Sequence, residues 1–412
     1  MSLIVMKFGG TSVATPQHMR RVADRLIARH EAGDQVVAVV SAMGKVTDEL
    51  VDLAHQLSPH PSEREMDMLL TTGEQVSIAL LAMAVQARGL DAISFTGAQV
   101  GIMTSSTFSK AQILAIDAAC VREALDEGKI VIVAGFQGRT PDGQITTLGR
   151  GGSDTTAVAL SAGLSADLCE IYTDVAGVYT ADPRIVPAAR KIDVIGYEEM
   201  LELASSGAGV LSMRSVEAAR NHGVIIHCRS SFSNESGTIV KEQDMSMEQA
   251  IVSGVTFDTS EVKFTIRAVP DQTGVAAQVF THLADHDINI DMIIQNISED
   301  GATDISFTAP AGELDAAKEA VREVVAAIGA REWIVDEDIA KISIVGAGMK
   351  TQPRVSARMF SALATAGINI DLISTSPIRL SCVVAQKELE DAVRALHTEF
   401  GLDDGSSVDE SN

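Results

Sequence analysis

A chain of 412 residues, 46% hydrophobic and 21% charged, has the composition of a soluble globular protein of roughly two or three domains. Its formal net charge of −24 argues against non-specific nucleic-acid binding, which needs lysine and arginine to displace counterions, so an anionic ligand must be held by local charge. Neither a membrane span nor a signal peptide is expected, and four dispersed cysteines (Cys120, Cys169, Cys228, Cys382) fit buried free thiols in a reducing, cytoplasmic setting.

In chain order, the apolar run Leu3 to Met6 reads as a buried strand leading into KFGGTSV, Lys7 to Val13. The two glycines allow a tight turn and close approach of backbone to a ligand, but the pattern is neither a Walker A loop nor G-x-G-x-x-G. Then follow a helix over Pro16 to Glu31, a strand over Gln35 to Met43, helices over Ser62 to Arg88 and Phe108 to Glu127, and a strand over Lys129 to Phe136. A helix over Asp154 to Ala162 and strands over Cys169 to Val175 and Val224 to Arg229 complete the first 230 residues. This alternation predicts an α/β domain with a largely parallel sheet covered by helices, whose ligands sit beyond the carboxyl ends of the strands.

The polar stretch Ser233 to Met247 breaks the rhythm and marks a domain boundary. Beyond it lies an internal repeat: VAAQVFTHLADHDINIDMII from Val275 matches VSARMFSALATAGINIDLIS from Val355, eighty positions later. Each copy reads as a strand (Glu261 to Val269; Lys341 to Val345), an amphipathic helix, a strand led by INID, another strand and a second helix, a ferredoxin-like βαββαβ order. His282 and His286 are four apart, but without H-E-x-x-H they read as a solvated helix face, and no metal site is expected. The acidic tail 403–412 is expected to fray.

Five stretches of the first part carry chemistry: KFGGTSV, VVSAMGKVTDEL (Val39 to Leu50), TTGEQVS (Thr71 to Ser77), TLGRGGSDTTA (Thr147 to Ala157) and YTDVAGVYTADPRIV (Tyr172 to Val186). Glycine-rich turns that open onto helices present free N–H groups and a positive dipole end to anions. GRGGSD is the strongest local case, with Arg150 ahead of two glycines and Ser153-Asp154 at a helix start; Asp154 could also be a plain helix cap.

Together, in this order and spacing, these stretches resemble the aspartokinases of the amino-acid kinase family, and the resemblance extends to the repeats, which look like paired ACT domains. It implies an amino-acid kinase fold, a three-layer αβα sandwich over residues 1–245, then ACT regions at 246–335 and 336–402. It also implies the reaction: ATP, with Mg²⁺ bound through the nucleotide, phosphorylates the side-chain carboxylate of L-aspartate, the first step towards lysine, threonine and methionine. By resemblance Lys7 and Asp154 are catalytic, Lys7 bridging the phosphates and Asp154 orienting it, while Ser41, Thr47, Glu74, Arg150 and Ser153 bind aspartate. Lys7, Gly9, Gly10, Ser12, Thr173, Asp174, Tyr179, Asp182 and Arg184 contact the nucleotide. Asp271, Gly274, Asn289, Asp291, Gln295, Asn369 and Asp371 are effector-site candidates for lysine, threonine or both.

Two departures stand out: Gly209 occupies the place of a family lysine, for which backbone amides, Arg184 or Arg214 could substitute, and the loop Asp271-Gln-Thr-Gly274 lacks a proline. Oligomerisation through the ACT domains is implied, as a homodimer or as an α2β2 assembly with a shorter chain started near Met245 or Met247. Neither a nucleic-acid nor a membrane partner is expected. Another amino-acid kinase, or a catalytically silent amino-acid sensor, remains an alternative.

Overall fold

The structure, a computed structural model, describes residues 1–243, 251–297 and 302–403. Met245, Met247 and the tail beyond Asp403 lie outside the described residues. The chain forms two compact units. The first holds Met1–Val178, Lys191–Ala204 and the residues from Gly209 to 243; the second holds Tyr179–Arg190, Ser205–Ala208 and the described residues from Ile251 on.

The first unit is built on an eight-stranded sheet, in the order Val194–Gly196, Thr238–Lys241, Ile226–Ser230, Leu168–Thr173, Leu3–Phe8, Gln35–Val40, Ile130–Ala134, Ala92–Phe95. The last six of these run parallel, as expected, and the apolar runs IVM and VVAVV are buried on both faces. The strand from Gln35 stops at Val40 rather than Met43, which frees Ser41 and Ala42 for the loop beyond the sheet.

By length and composition alone, helix Glu63–Gln86 could cross a membrane. Its residues Ile78, Leu81, Ala82 and Val85 pack instead into the sheet core with Leu26, Val36 and Ile132, and it carries the buried Asp67 and Glu74.

A helix does not fill Phe108 to Glu127. Ile113–Ile116 is a strand paired antiparallel with Ile102–Thr104, and only Ala119–Asp126 is helical. The neighbouring strand satisfies backbone groups that a helix would have paired internally, so tertiary pairing overrides the helical period. That strand belongs to a small sheet with Gln137–Arg139 and Ile145–Thr147, which delivers the chain to Gly149 and Arg150.

In the second unit the first repeat has the expected order. Its four antiparallel strands lie in the order Ile293–Ile297, Ala302–Pro310, Glu261–Pro270, Glu332–Asp336, with helices Val275–Asp285 and Leu314–Ile328 packed against Phe264, Ile266 and Phe307. The second sheet is ordered Gly254–Asp258, Ile339–Val345, Arg379–Ala385, Leu372–Thr375. Its edge strand Gly254–Asp258 therefore comes from ahead of the first repeat, so the two repeats interleave along the chain.

INID does not lead a strand in either copy. Residues 288–291 and 368–371 are irregular, and pairing starts at Ile293 and Leu372. Ile288 and Ile368 are buried, and Asp291 and Asp371 donate their N–H groups to the Thr308 and Val383 carbonyls. Met292, Ile339, Leu372 and Val383 form an apolar seam between the repeats. Across it the charges are reciprocal: Asp291 accepts from Lys341 of the second repeat at 2.5 Å, and Asp371 accepts from Lys263 of the first.

Candidate active site

Beyond the carboxyl ends of the parallel strands, the predicted catalytic and aspartate-binding residues, with Gly9 and Gly10, line one cavity of about 250 Å³ within the first unit. Lys7 enters from strand Leu3–Phe8, Gly9 and Gly10 from the turn after it, Ser41 from the loop after strand Gln35–Val40, Thr47 from helix Val46–Leu57, Glu74 from Glu63–Gln86, and Arg150, Ser153 and Asp154 from the GRGGSD turn.

The Lys7 ammonium lies 2.5 Å from the Asp154 carboxylate, and both side chains are only about a tenth exposed. Register explains the pairing in part: Lys7 sits between Val39 and Ile171 of the neighbouring strands, and the helix Gly152–Leu164 packs on the Leu3–Phe8 strand. That helix is capped by Gly151 in the left-handed region (φ +74°), so Asp154 is not the cap; it lies in the first turn, where the helix dipole favours a carboxylate. Ser41 Oγ donates to Ser153 Oγ at 2.9 Å, joining the second strand to the same turn.

Gly10 is required by close packing, not by a left-handed backbone. A Cβ there would stand 2.9 Å from the Ala42 carbonyl oxygen and 3.1 Å from that of Gly44. Gly73, in mid-helix, is required likewise: its Cβ would meet that of Ala42 at 2.8 Å. This contact brings Glu74 under the Ser41–Ala42 turn, where Oε1 accepts from the Ala42 N–H at 3.0 Å and the buried Oε2 has no partner. Burial raises the Glu74 carboxyl to about 7, only partly opposed by the Ala42 N–H. Glu74 is thus a buried residue of the cavity wall and not a solvated helix residue.

Other predicted residues are distributed differently. Ser12 turns away from the Lys7 cavity to a second cavity of about 270 Å³ and meets Ser231 Oγ at 2.5 Å. Thr173 ends a central strand and donates to Asp174 at 3.0 Å. Tyr179, Asp182 and Arg184 belong to the second unit, where Arg184 grips Asp182 through Nη2 at 2.6 Å and holds that carboxyl below its usual range. Arg214 is not available as a substitute cation, because its guanidinium donates to the Leu148 and Ala111 carbonyls. At Gly209 the space for a side chain is open.

In the second unit Gly274 caps its helix with φ +97°, a conformation that favours glycine whether or not a proline precedes it. Asp271, Asn289, Gln295 and Asn369 are exposed, whereas Asp291 and Asp371 are engaged by the two lysines.

Two residues escaped sequence reasoning. Phe136 lines the cavity with φ +70°, a strained value for a bulky side chain, and its N–H donates to Thr156 Oγ1 at 3.1 Å. Asp67 is wholly buried and accepts from the N–H groups of Ser109 and Thr147 and from Thr147 Oγ1, fixing the approach to Arg150. A carboxylate inside an apolar helix was its only signal.

Known proteins resemble this chain over nearly its whole length. The chain matches the Amino acid kinase family over residues 2–230 and the ACT domain over 264–326 and 342–400. It is 54% identical to an aspartokinase of Mycolicibacterium smegmatis, over 98% of this chain and 97% of that one. Among solved structures it is similar to E. coli aspartokinase III in complex with aspartate and ADP (R-state), with TM-score 0.82 and 27% identity over 96% of this chain and 99% of that one. It is similar also to that enzyme in complex with lysine and aspartate (T-state), with TM-score 0.76 and 28% identity over 97% and 99%.

Proposed function

Because this chain belongs to the aspartokinases of the amino-acid kinase family, we propose that its Lys7–Asp154 cavity is where ATP phosphorylates the side-chain carboxylate of L-aspartate to give 4-phospho-L-aspartate. The observation that carries the assignment of roles is that single cavity, which gathers two cations, two carboxylates and a turn of backbone N–H groups. A carboxylate is already ionised at neutral pH, so the acceptor needs no general base. The work is to align two anions and to offset charge on the transferring phosphoryl group.

Lys7, held by Asp154, points its ammonium at that group, and the first turn of helix Gly152–Leu164 beyond Gly152, whose own N–H donates to the Gly149 carbonyl, turns its positive dipole end to the cavity. Arg150 suits a carboxylate of aspartate through its bidentate fork, and Glu74 suits the ammonium, with Ser41, Thr47 and Ser153 completing the pocket. Mg²⁺ bound to the nucleotide would neutralise phosphate charge, while Asp154 is already paired with Lys7. Lys7, Gly9, Gly10, Ser12, Thr173 and Asp174 are the nucleotide contacts of the first unit.

A hydroxamate assay for acyl phosphate, with aspartate and MgATP, tests the reading: product is expected, and its absence alongside tight threonine binding supports a silent sensor. Feedback control acts through the ACT repeats, with lysine, threonine or both as effectors at the Asp271, Gly274, Asn289, Asp291, Gln295, Asn369 and Asp371 set. An effector inhibits only by binding the inactive state better. The repeats also provide the contact for a homodimer or an α2β2 assembly.

A further inference from the structure

We propose that His282, His286 and Glu323 form a binding site for a divalent transition-metal ion of the zinc type on the first repeat. His282 lies in the last turn of helix Val275–Asp285, and His286 follows one turn later at the helix end, with the ring centroids 4.6 Å apart. The third group comes from the neighbouring helix Leu314–Ile328, where Glu323 Oε2 stands 3.1 Å from His282 Nε2 and 3.8 Å from His286 Nε2. One ligand atom from each residue lies within 4.8 Å of the others.

The two imidazole–carboxylate spacings suit a small tetrahedral ion. Two ligand atoms each about 2.1 Å from such an ion stand about 3.4 Å apart, and the two imidazole–carboxylate distances bracket that value. An independent feature prepares one ligand: His286 Nδ1 lies 2.8 Å from the His282 carbonyl oxygen, so its N–H donates there and the lone pair is left on Nε2. Both helices are anchored, since Val279 and Leu283 of one and Ala320 and Val324 of the other share a buried core, so the groups need little reorganisation to meet an ion. The C-terminal turn of a helix also favours a cation.

Two imidazoles and one carboxylate select zinc, nickel or copper over magnesium or calcium, which prefer oxygen sets. Water completes the coordination, since all three side chains are about a third to a half exposed. The sequence hides the site because its third ligand lies on another helix, far from the His pair. A bound ion would pin the two helices of the first repeat to each other.

The test is calorimetric titration of the full chain with ZnCl₂ in excess MgCl₂, which saturates oxygen sites. One zinc ion per chain is expected, with affinity lowered roughly tenfold or more in His282→Ala and in His286→Ala, and less in Glu323→Gln. Circular dichroism checks that these surface variants keep their fold. Cys120→Ser, at a partly exposed thiol, is expected to bind zinc as the parent chain does. No zinc binding, binding unchanged in both histidine variants, or binding abolished by Cys120→Ser would each overturn the proposal.

Discussion

At the residue scale, Glu74 makes the clearest commitment about pH. Its carboxyl is raised from an ordinary 4.5 to about 7 by burial, so without substrate it is largely neutral below pH 7 and ionised above. An aspartate ammonium is held by the ionised form, so aspartate affinity should strengthen as pH rises from 6 to 8, and Glu74→Gln should bind more weakly and lose that dependence. Substrate KM measured across the range checks it; a variant that keeps the parent profile contradicts the role. The stability sign is opposite: between about 4.5 and 7 the folded chain holds this proton more tightly than the unfolded chain, so the contribution to the fold is lost as pH rises through 7. In sequence the glycine-rich turns by themselves point only to tight turns, and it is the resemblance carried by the five stretches together that brings Lys7, Arg150 and Asp154 to one cavity. Phe136 and Asp67 were not legible, because a strained φ and a long-range hydrogen-bond set leave no local pattern.

At the scale of elements, the two reciprocal charge pairs between the repeats differ in burial, and burial sets their worth. Burial alone would lower the Lys341 ammonium, but Glu261 and Asp291 reverse that and raise it above its ordinary value. Removing this cation strands both carboxylates, so Lys341→Met should destabilise the second unit by about 3 kcal/mol. Lys263 faces Asp336 and Asp371, both more than 40% exposed, so Lys263→Met should cost under about 1 kcal/mol. Urea unfolding of the two variants gives the comparison, and equal costs would refute the burial argument. The strand–helix order of the first repeat could be read from hydrophobic period. The late start of pairing after INID and the strand at Ile113–Ile116 could not, because register depends on which neighbour takes the backbone hydrogen bonds.

On the scale of the whole molecule, the linear sequence and the folded units do not coincide. The segment Tyr179–Arg190, which carries three nucleotide-contact candidates, packs Ala181, Ile185 and Val186 into the core of Ile342, Ile344 and Leu396. Thr180 Oγ1 meets His397 Nε2 at 2.9 Å, and His397 Nδ1 meets Asp403 at 2.6 Å, so the first residue of the expected frayed tail is anchored. The edge strand Gly254–Asp258 crosses the expected boundary in the same way. Composition and the eighty-residue repeat reveal how many modules exist, but such exchanges are non-local and leave no mark on a single strand. A chain ending at residue 243 would keep this segment without its core partners. It should therefore lose MgATP-dependent activity and be cut by protease within 179–190; full activity and resistance would contradict the account.

The central claim is that Lys7 serves the phosphoryl group and Arg150 the aspartate carboxylate, within one cavity. Steady-state kinetics of Lys7→Ala and Arg150→Ala measured side by side test it most directly. Lys7→Ala should lower kcat by roughly a hundredfold or more with KM for aspartate little changed, whereas Arg150→Ala should mainly raise that KM. The reverse pattern, with Arg150→Ala striking kcat and Lys7→Ala striking only aspartate KM, would contradict it.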